Sequence, residues 1–346
     1  MNKRDPGSGT PGIRIVQGAA GVVIEQHRPA VLSSLTGLPV EQALEMVPRI
    51  LPICGTAQSV AASRAVEAAR GELPDPAREA ERQHRLWREQ AMAAGWRLGV
   101  DWPDLLDKPR ALVWLKVLRS SEDNAACASV LRSAVPELEA VWSLGDLAAW
   151  AESSDNHAAA MLRVALAEEQ PLPASGQRLT GQELAAAARA ALADASFNPQ
   201  DPHEQAVEVG PLAMGRDPLI VANGDQLAAS VAGRLQAQVL DTRHIIRNLQ
   251  SYDQGPAADP RSWTEGTGTG TGCAETARGP VFHRVALDHK DRVSAWQALA
   301  PTDWHFAPRG PVALALGGGL ADTVARLAVT GFDPCAPWSL VGSEER

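Results

Sequence analysis

Two cysteines toward opposite ends of this 346-residue chain have the surroundings of metal ligands. Cys335 lies in "GFDPCAPW", introduced by an Asp-Pro pair, and Cys54 lies in "LPICGTAQ", behind a run punctuated by Pro48 and Pro52. A thiolate held at such a corner is a soft metal ligand. A clip needs a second thiol three residues on, and there the chain carries Ala57 and Trp338. Cys127 and Cys273 do not restore the spacing. Four cysteines in so long a chain are no disulfide framework, so buried thiol, metal thiolate and redox thiol remain open.

Other chemistries fit the sequence poorly. No His-Glu-x-x-His pair or Gly-x-Ser-x-Gly elbow occurs, and His283 and His305 read as structural. "TEGTGTGTGC" lacks the Lys-Ser/Thr ending of a phosphate loop. "VALALGGGLADT" can offer free N–H groups to an anion, but no acidic ribose partner follows. A net charge of -9 without a basic stripe argues against nucleic acid and acidic membrane surfaces as partners. The N-terminus lacks the apolar core of a secretory signal, and the longest apolar run, Ala111–Leu118, is too short to span a bilayer. A cytoplasmic location is expected.

The elements that must position these residues form a mainly α-helical α+β fold with small β elements near both ends. Residues 1–12, rich in Gly, Pro and Ser, are expected to be a flexible tail before a single domain, 13–346. Ile13–Glu25 reads as a strand pair bending at Gly18 and Gly21. A helix broken at Pro48 and Pro52 leads to Cys54, and Ala57–Arg70 is strongly helix-favouring. Residues 76–195 read as helices with breaks at Pro103, Pro109 and Pro136. A further helix is expected over Gly224–Ser251, and a Gly-rich loop at about 254–274. Pro280–Pro301 alternates as a hairpin turning at Asp288–Lys290, and a last helix, Leu320–Thr330, runs into Cys335.

Five segments are weak singly and specific in order: "LPICGTAQ", "GPLAMGRDP", "ETARGPVFH", "LAPTDWH" and "GFDPCAPW". Together they resemble the large subunit of nickel–iron hydrogenases over nearly the whole chain, in a shortened form. In that family paired cysteines hold nickel and iron, the second of each pair bridging the metals. Here Cys54 and Cys335 match the first positions, while Ala57 and Trp338 replace the bridging thiols. The family's His after the first motif is Ala61. What matches fully is the surround of the iron's diatomic ligands. Arg278 and Thr302, with Ala277 and Pro301 beside them, match the donors to its cyanides, and Val281 and Ala300 match the apolar wall at carbon monoxide. A guanidinium and a hydroxyl suit cyanide, an anionic acceptor.

That combination resembles hydrogenase maturation proteins of the HupK/HoxV type. The resemblance implies a non-catalytic scaffold that transiently holds an Fe(CN)2(CO) unit, without nickel, on Cys54 and Cys335. Arg278 is expected to help keep a nearby thiol ionised. The implied partners are HypC-type chaperones, the HypC–HypD complex and the hydrogenase large-subunit precursor. A metal-free mimic that binds maturation chaperones, or a degenerate H2-sensing or catalytic subunit, are the competing readings.

Overall fold

The computed structural model describes residues 12–18, 21–27, 30–168, 170–172, 176–194, 196–202, 205–251 and 261–342. The predicted hairpin forms as β1 (Gly12–Gly18) and β2 (Gly21–His27), paired antiparallel. Gly12 thus belongs to β1, and the rest of the expected 1–12 tail lies outside the described residues. The elements that follow are α1 (Val40–Ile50), α2 (Gly55–Arg70), α3 (Pro76–Trp96), α4 (Trp102–Leu105), α5 (Leu112–Ser120), α6 (Asn124–Ala134), α7 (Leu144–Ser153) and α8 (His157–Ala167). Next come the short parallel pair β3 (Gln177–Arg178) and β4 (Val207–Glu208) with α9 (Gly181–Ala193) between them, then α10 (Pro211–Met214), α11 (Pro218–Ala228) and α12 (Val231–Gln250). An antiparallel sheet of β5 (Ser262–Gly266), β6 (Thr269–Thr276), β7 (Gly279–Leu287) and β8 (Val293–Leu299) precedes α13 (Pro301–His305), α14 (Pro311–Leu316), α15 (Asp322–Gly331) and β9 (Trp338–Val341).

Three proline or glycine signals were misleading. Pro48 does not break α1, because it sits in the last turn, where Leu51 N–H still donates to Val47 O (2.9 Å); the break falls at Leu51–Pro52. Nor does Pro103 break the chain, which passes from α3 through a wide turn, Arg97–Asp101, into α4. Proline cannot supply the N–H that would bond Gly99 O, and Ala111 N–H takes that carbonyl instead (2.8 Å). The expected Gly-rich loop at 254–274 is strand from Ser262 onward, apart from a turn at 267–268, and residues 252–260 lie outside the described residues. Its Thr/Gly alternation gives β6 one bare face. A Cβ on Gly270 would lie 2.3 Å from Ala65 O, and one on Gly272 2.3 Å from Ala61 O, so only glycine lets α2 lie this close.

The helix expected over Gly224–Ser251 is also divided. Ser230, extended at φ -140°, accepts from Gly233 N–H and starts α12 afresh, leaving Leu227 in α11. Almost every residue of α12 is buried, and it forms the axis of the main core with α3, α6, α8 and α15. Parallel pairing of β9 with β1, Ile13 opposite Trp338, ties the segment after Cys335 to the start of the described chain. No helix among the described residues is long and apolar enough to cross a membrane.

Candidate functional site

Each candidate thiol stands at a corner of left-handed backbone. Cys54 itself has φ 57° and immediately precedes α2. The free N–H groups at the start of that helix are taken by Glu89 of α3, whose carboxylate accepts from Thr56 N (2.6 Å) and Ala57 N (2.9 Å). At the other corner, Asp333 has φ 45° as α15 ends, and Cys335 follows two residues later. Asx residues tolerate this conformation better than a thiol does, so Cys54 is the more strained of the two. Both corners open on one cavity of about 780 Å³, whose wall includes Trp338, Glu89 and Arg278.

Arg278 joins the corners. From the β6–β7 turn, its Nε donates to Asp333 O (3.0 Å) and lies 3.3 Å from Asp333 Oδ2, while Nη1 reaches Cys54 Sγ at 3.5 Å. Arg97 Nη2 donates to the same Asp333 Oδ2 at 2.9 Å. Burial works against the Asp333 charge, yet Arg278 and Arg97 hold its carboxyl below the usual range. Arg278 favours the ionised form of Cys54, but burial outweighs it. Burial pushes that thiol up to about 12; Arg278 pulls it down, but Glu89 and Cys335 oppose the pull. Burial also raises Glu89, and pushes Asp101 up to about 6 with help from Asp333.

Thr302, buried in α13, donates its hydroxyl to Cys335 Sγ (3.0 Å) and accepts from Cys335 N (3.1 Å). Val281 and Ala300 pack in one apolar cluster with Cys54, Ala57 and Ala61. Ala277 and Pro301 are buried at the turn before β7 and at the start of α13. Cys127 lies in the main core and Cys273 in a separate cluster beside α9, where burial raises both thiols. Among the described residues, no group of three or more His, Cys, Asp or Glu is placed to hold a metal ion. His283 lies between Gln58 and Trp296, and His305 Nε2 accepts from Val209 N; burial lowers the two rings to about 3 and about 4. Both are structural, as read.

Sequence reasoning missed Glu89, Arg97, Asp101, Trp102 and the pairing role of Asp333. Four of them fall in the helical 76–195 stretch, which carries no motif. The available signal was "RLGVDWPDL", where Gly99 and Pro103 inside a helical pattern mark an irregular turn.

The fold is that of hydrogenase large subunits. A nickel–iron–selenium hydrogenase of Desulfovibrio vulgaris Hildenborough aligns over 91% of this chain and 93% of its own, with a TM-score of 0.53 at 15% identity. An NAD+-reducing nickel–iron hydrogenase gives 0.52 at 14% identity, over 91% and 92%. These likenesses concern the fold alone. No protein-family model matches the chain. Among curated proteins it is 30% identical to the hydrogenase expression/formation protein HupK of Azotobacter vinelandii, over 92% of both chains. It is 29% identical to HupK of Bradyrhizobium diazoefficiens (93% and 92%) and 26% identical to HoxV of Cupriavidus necator (90% and 90%). The chain belongs to the HupK/HoxV family of hydrogenase expression/formation proteins.

Proposed function

We propose that this protein is a non-catalytic scaffold in nickel–iron hydrogenase formation, holding an Fe(CN)2(CO) unit on Cys54 and Cys335 for delivery to the large-subunit precursor. The observation that carries this reading is that both thiols open on one cavity and each has its own donor: Arg278 on the cavity wall for Cys54, and Thr302, buried behind it, for Cys335. Two soft thiolates suit iron already carrying strong-field ligands. Arg278 donates to a cyanide, while Thr302 orients Cys335 and its side of the iron. Val281 and Ala300, packed beside Cys54, give carbon monoxide the apolar neighbours that a poor acceptor prefers. Ala57 and Trp338 offer no bridging sulfur, so the site suits iron without nickel.

Two thiolates and three diatomic ligands leave one iron position open, through which another thiolate pair can take the unit. HypC-type chaperones, singly or as HypC–HypD, are the proposed donors and the precursor the acceptor, all in the cytoplasm. A neutral Cys54 thiol must lose its proton on loading, which keeps the bond reversible.

Metal analysis of protein purified without oxygen from cells making the maturation proteins tests this reading. Stoichiometric iron without nickel is expected, lost in C54A and C335A and transferred on mixing with metal-free precursor. Iron-free wild type that still binds the chaperones would favour the metal-free mimic.

A further inference from the structure

Two residues that line the cavity carry donors that no described residue satisfies. Where α3 continues through the wide turn Arg97–Asp101, Trp102 N–H donates to Arg97 O, a hydrogen bond spanning five residues. Such a turn stacks residues five apart, so Arg97 and Trp102 share a face, and both line the cavity. They are 2% and 0% exposed. Arg97 uses Nη2 on Asp333, whereas its Nε and Nη1, together with Trp102 Nε1, are buried without a hydrogen-bond partner among the described residues. An unpaired buried N–H forfeits its hydration without compensation, and more so when charged. Three on one turn are a standing cost that a ligand would remove.

The neighbourhood defines that ligand. Arg97 and Arg278 share Asp333 Oδ2, so the orphan donors lie one carboxylate away from the guanidinium on Cys54. Glu89, Asp101 and Asp333, which line the same cavity, disfavour an oxyanion with concentrated charge. A small acceptor whose charge is spread into a metal meets less repulsion. Thr302, for its part, already has both its hydroxyl proton and a lone pair committed to Cys335.

We propose that Arg97 and Trp102 form a donor wall for a small linear anion with an accepting nitrogen, the chemistry of metal-bound cyanide, seated beside the thiol pair. The identity of the ligand rests on the iron-unit reading. The wall would serve the cyanide that Arg278 does not, and so fix which way the unit sits.

Infrared spectra of anaerobically purified wild type, W102F, R97K and W87F test this. Trp87 Nε1 is likewise buried without a partner but does not line the cavity, which makes W87F the control. W102F is expected to move one cyanide band more than the carbonyl band, R97K to move the same band, and W87F to move neither. W102F should leave the melting temperature of the metal-free protein unchanged or higher, since it deletes an unpaired donor. Bands unmoved in both W102F and R97K would overturn the wall. If wild type shows no cyanide or carbonyl band, the iron-unit reading fails and the wall is judged on metal-free protein with thiocyanate. A bound-thiocyanate band that W102F and R97K abolish then sustains it, and no bound band overturns it.

Discussion

On one side of Cys54, α2 lies against β6 through Ala61 and Ala65 over Gly270 and Gly272, backbone on backbone with no room for a methyl group. On the other side, the same helix begins at a left-handed cysteine facing a cavity with two arginines, three carboxyl groups and unpaired donors. The first surface is close-packed, its one buried arginine, Arg64, paired with Glu79 and Cys273 O; the second is charged, strained and incomplete. Strain at a thiol survives only when its surroundings over-determine it. The alanine–glycine contact supplies that rigidity, and the cavity spends it on geometry.

The largest effect expected comes from breaking the packed side. Gly272→Val drives a branched side chain into Ala61 O and Ala65 N, which already lie within 2.4 Å of an ideal Cβ. Backbone cannot yield as a side-chain tip can, so the loss should exceed the ~3 kcal/mol upper end of ordinary overpacking. Chemical denaturation should show a lost or strongly shifted cooperative transition; an unchanged midpoint would mean that the contact is looser than described.

Next comes the charged side. Asp333→Ala leaves Arg97 and Arg278 without their shared carboxylate and puts a Cβ residue with no local hydrogen bond at φ 45°. About 3–5 kcal/mol is expected for breaking a buried pair. Asp333→Asn, which tolerates the left-handed backbone, should cost less. Equal midpoints for the two variants would separate the ion pairs from the backbone requirement.

A smaller effect distinguishes the two sides by pH. His283, buried beneath α2, is held neutral down to about 3, whereas an unfolded imidazole takes its proton near 6.5. Between those values the unfolded chain binds more protons, so this group makes stability fall as pH drops, by ~2 kcal/mol at pH 5. Asp101, pushed up to about 6, works oppositely: folded protein takes its proton first, and stability is gained as pH falls through 6. Urea midpoints at pH 7 and 5 should converge in His283→Gln and diverge in Asp101→Asn, relative to wild type.

Much of the thiol side was legible in the sequence because its signals are local. Asp-Pro-Cys, Arg-Gly-Pro and Pro-Thr each fix a short turn, and the structure brings Arg278 to Cys54 and Thr302 to Cys335. The Gly-rich strand was illegible because composition cannot show that a helix of alanines lies over it. Arg97, Trp102 and Glu89 escaped for a related reason. They sit on helices whose periodicity reads as ordinary core; Glu89 reaches the cavity from regular α3, and the wide turn at Arg97–Asp101, invisible to a 3.6-residue pattern, brings Arg97 and Trp102 there together. That burial outweighs the pull of Arg278 on Cys54 is something a neighbouring arginine in a motif does not reveal.

The smallest change in stability accompanies the most direct test. Cys54→Gly suits the left-handed backbone and relieves about 1 kcal/mol of strain, so the fold should be retained or slightly firmer. Infrared spectra of anaerobically purified wild type, C54G and C335A should show cyanide and carbonyl bands in the wild type alone, with C54G at least as resistant to urea. Bands persisting in a folded C54G protein, or absent from wild type co-produced with the maturation proteins, would contradict the holding of an iron unit between these two thiols.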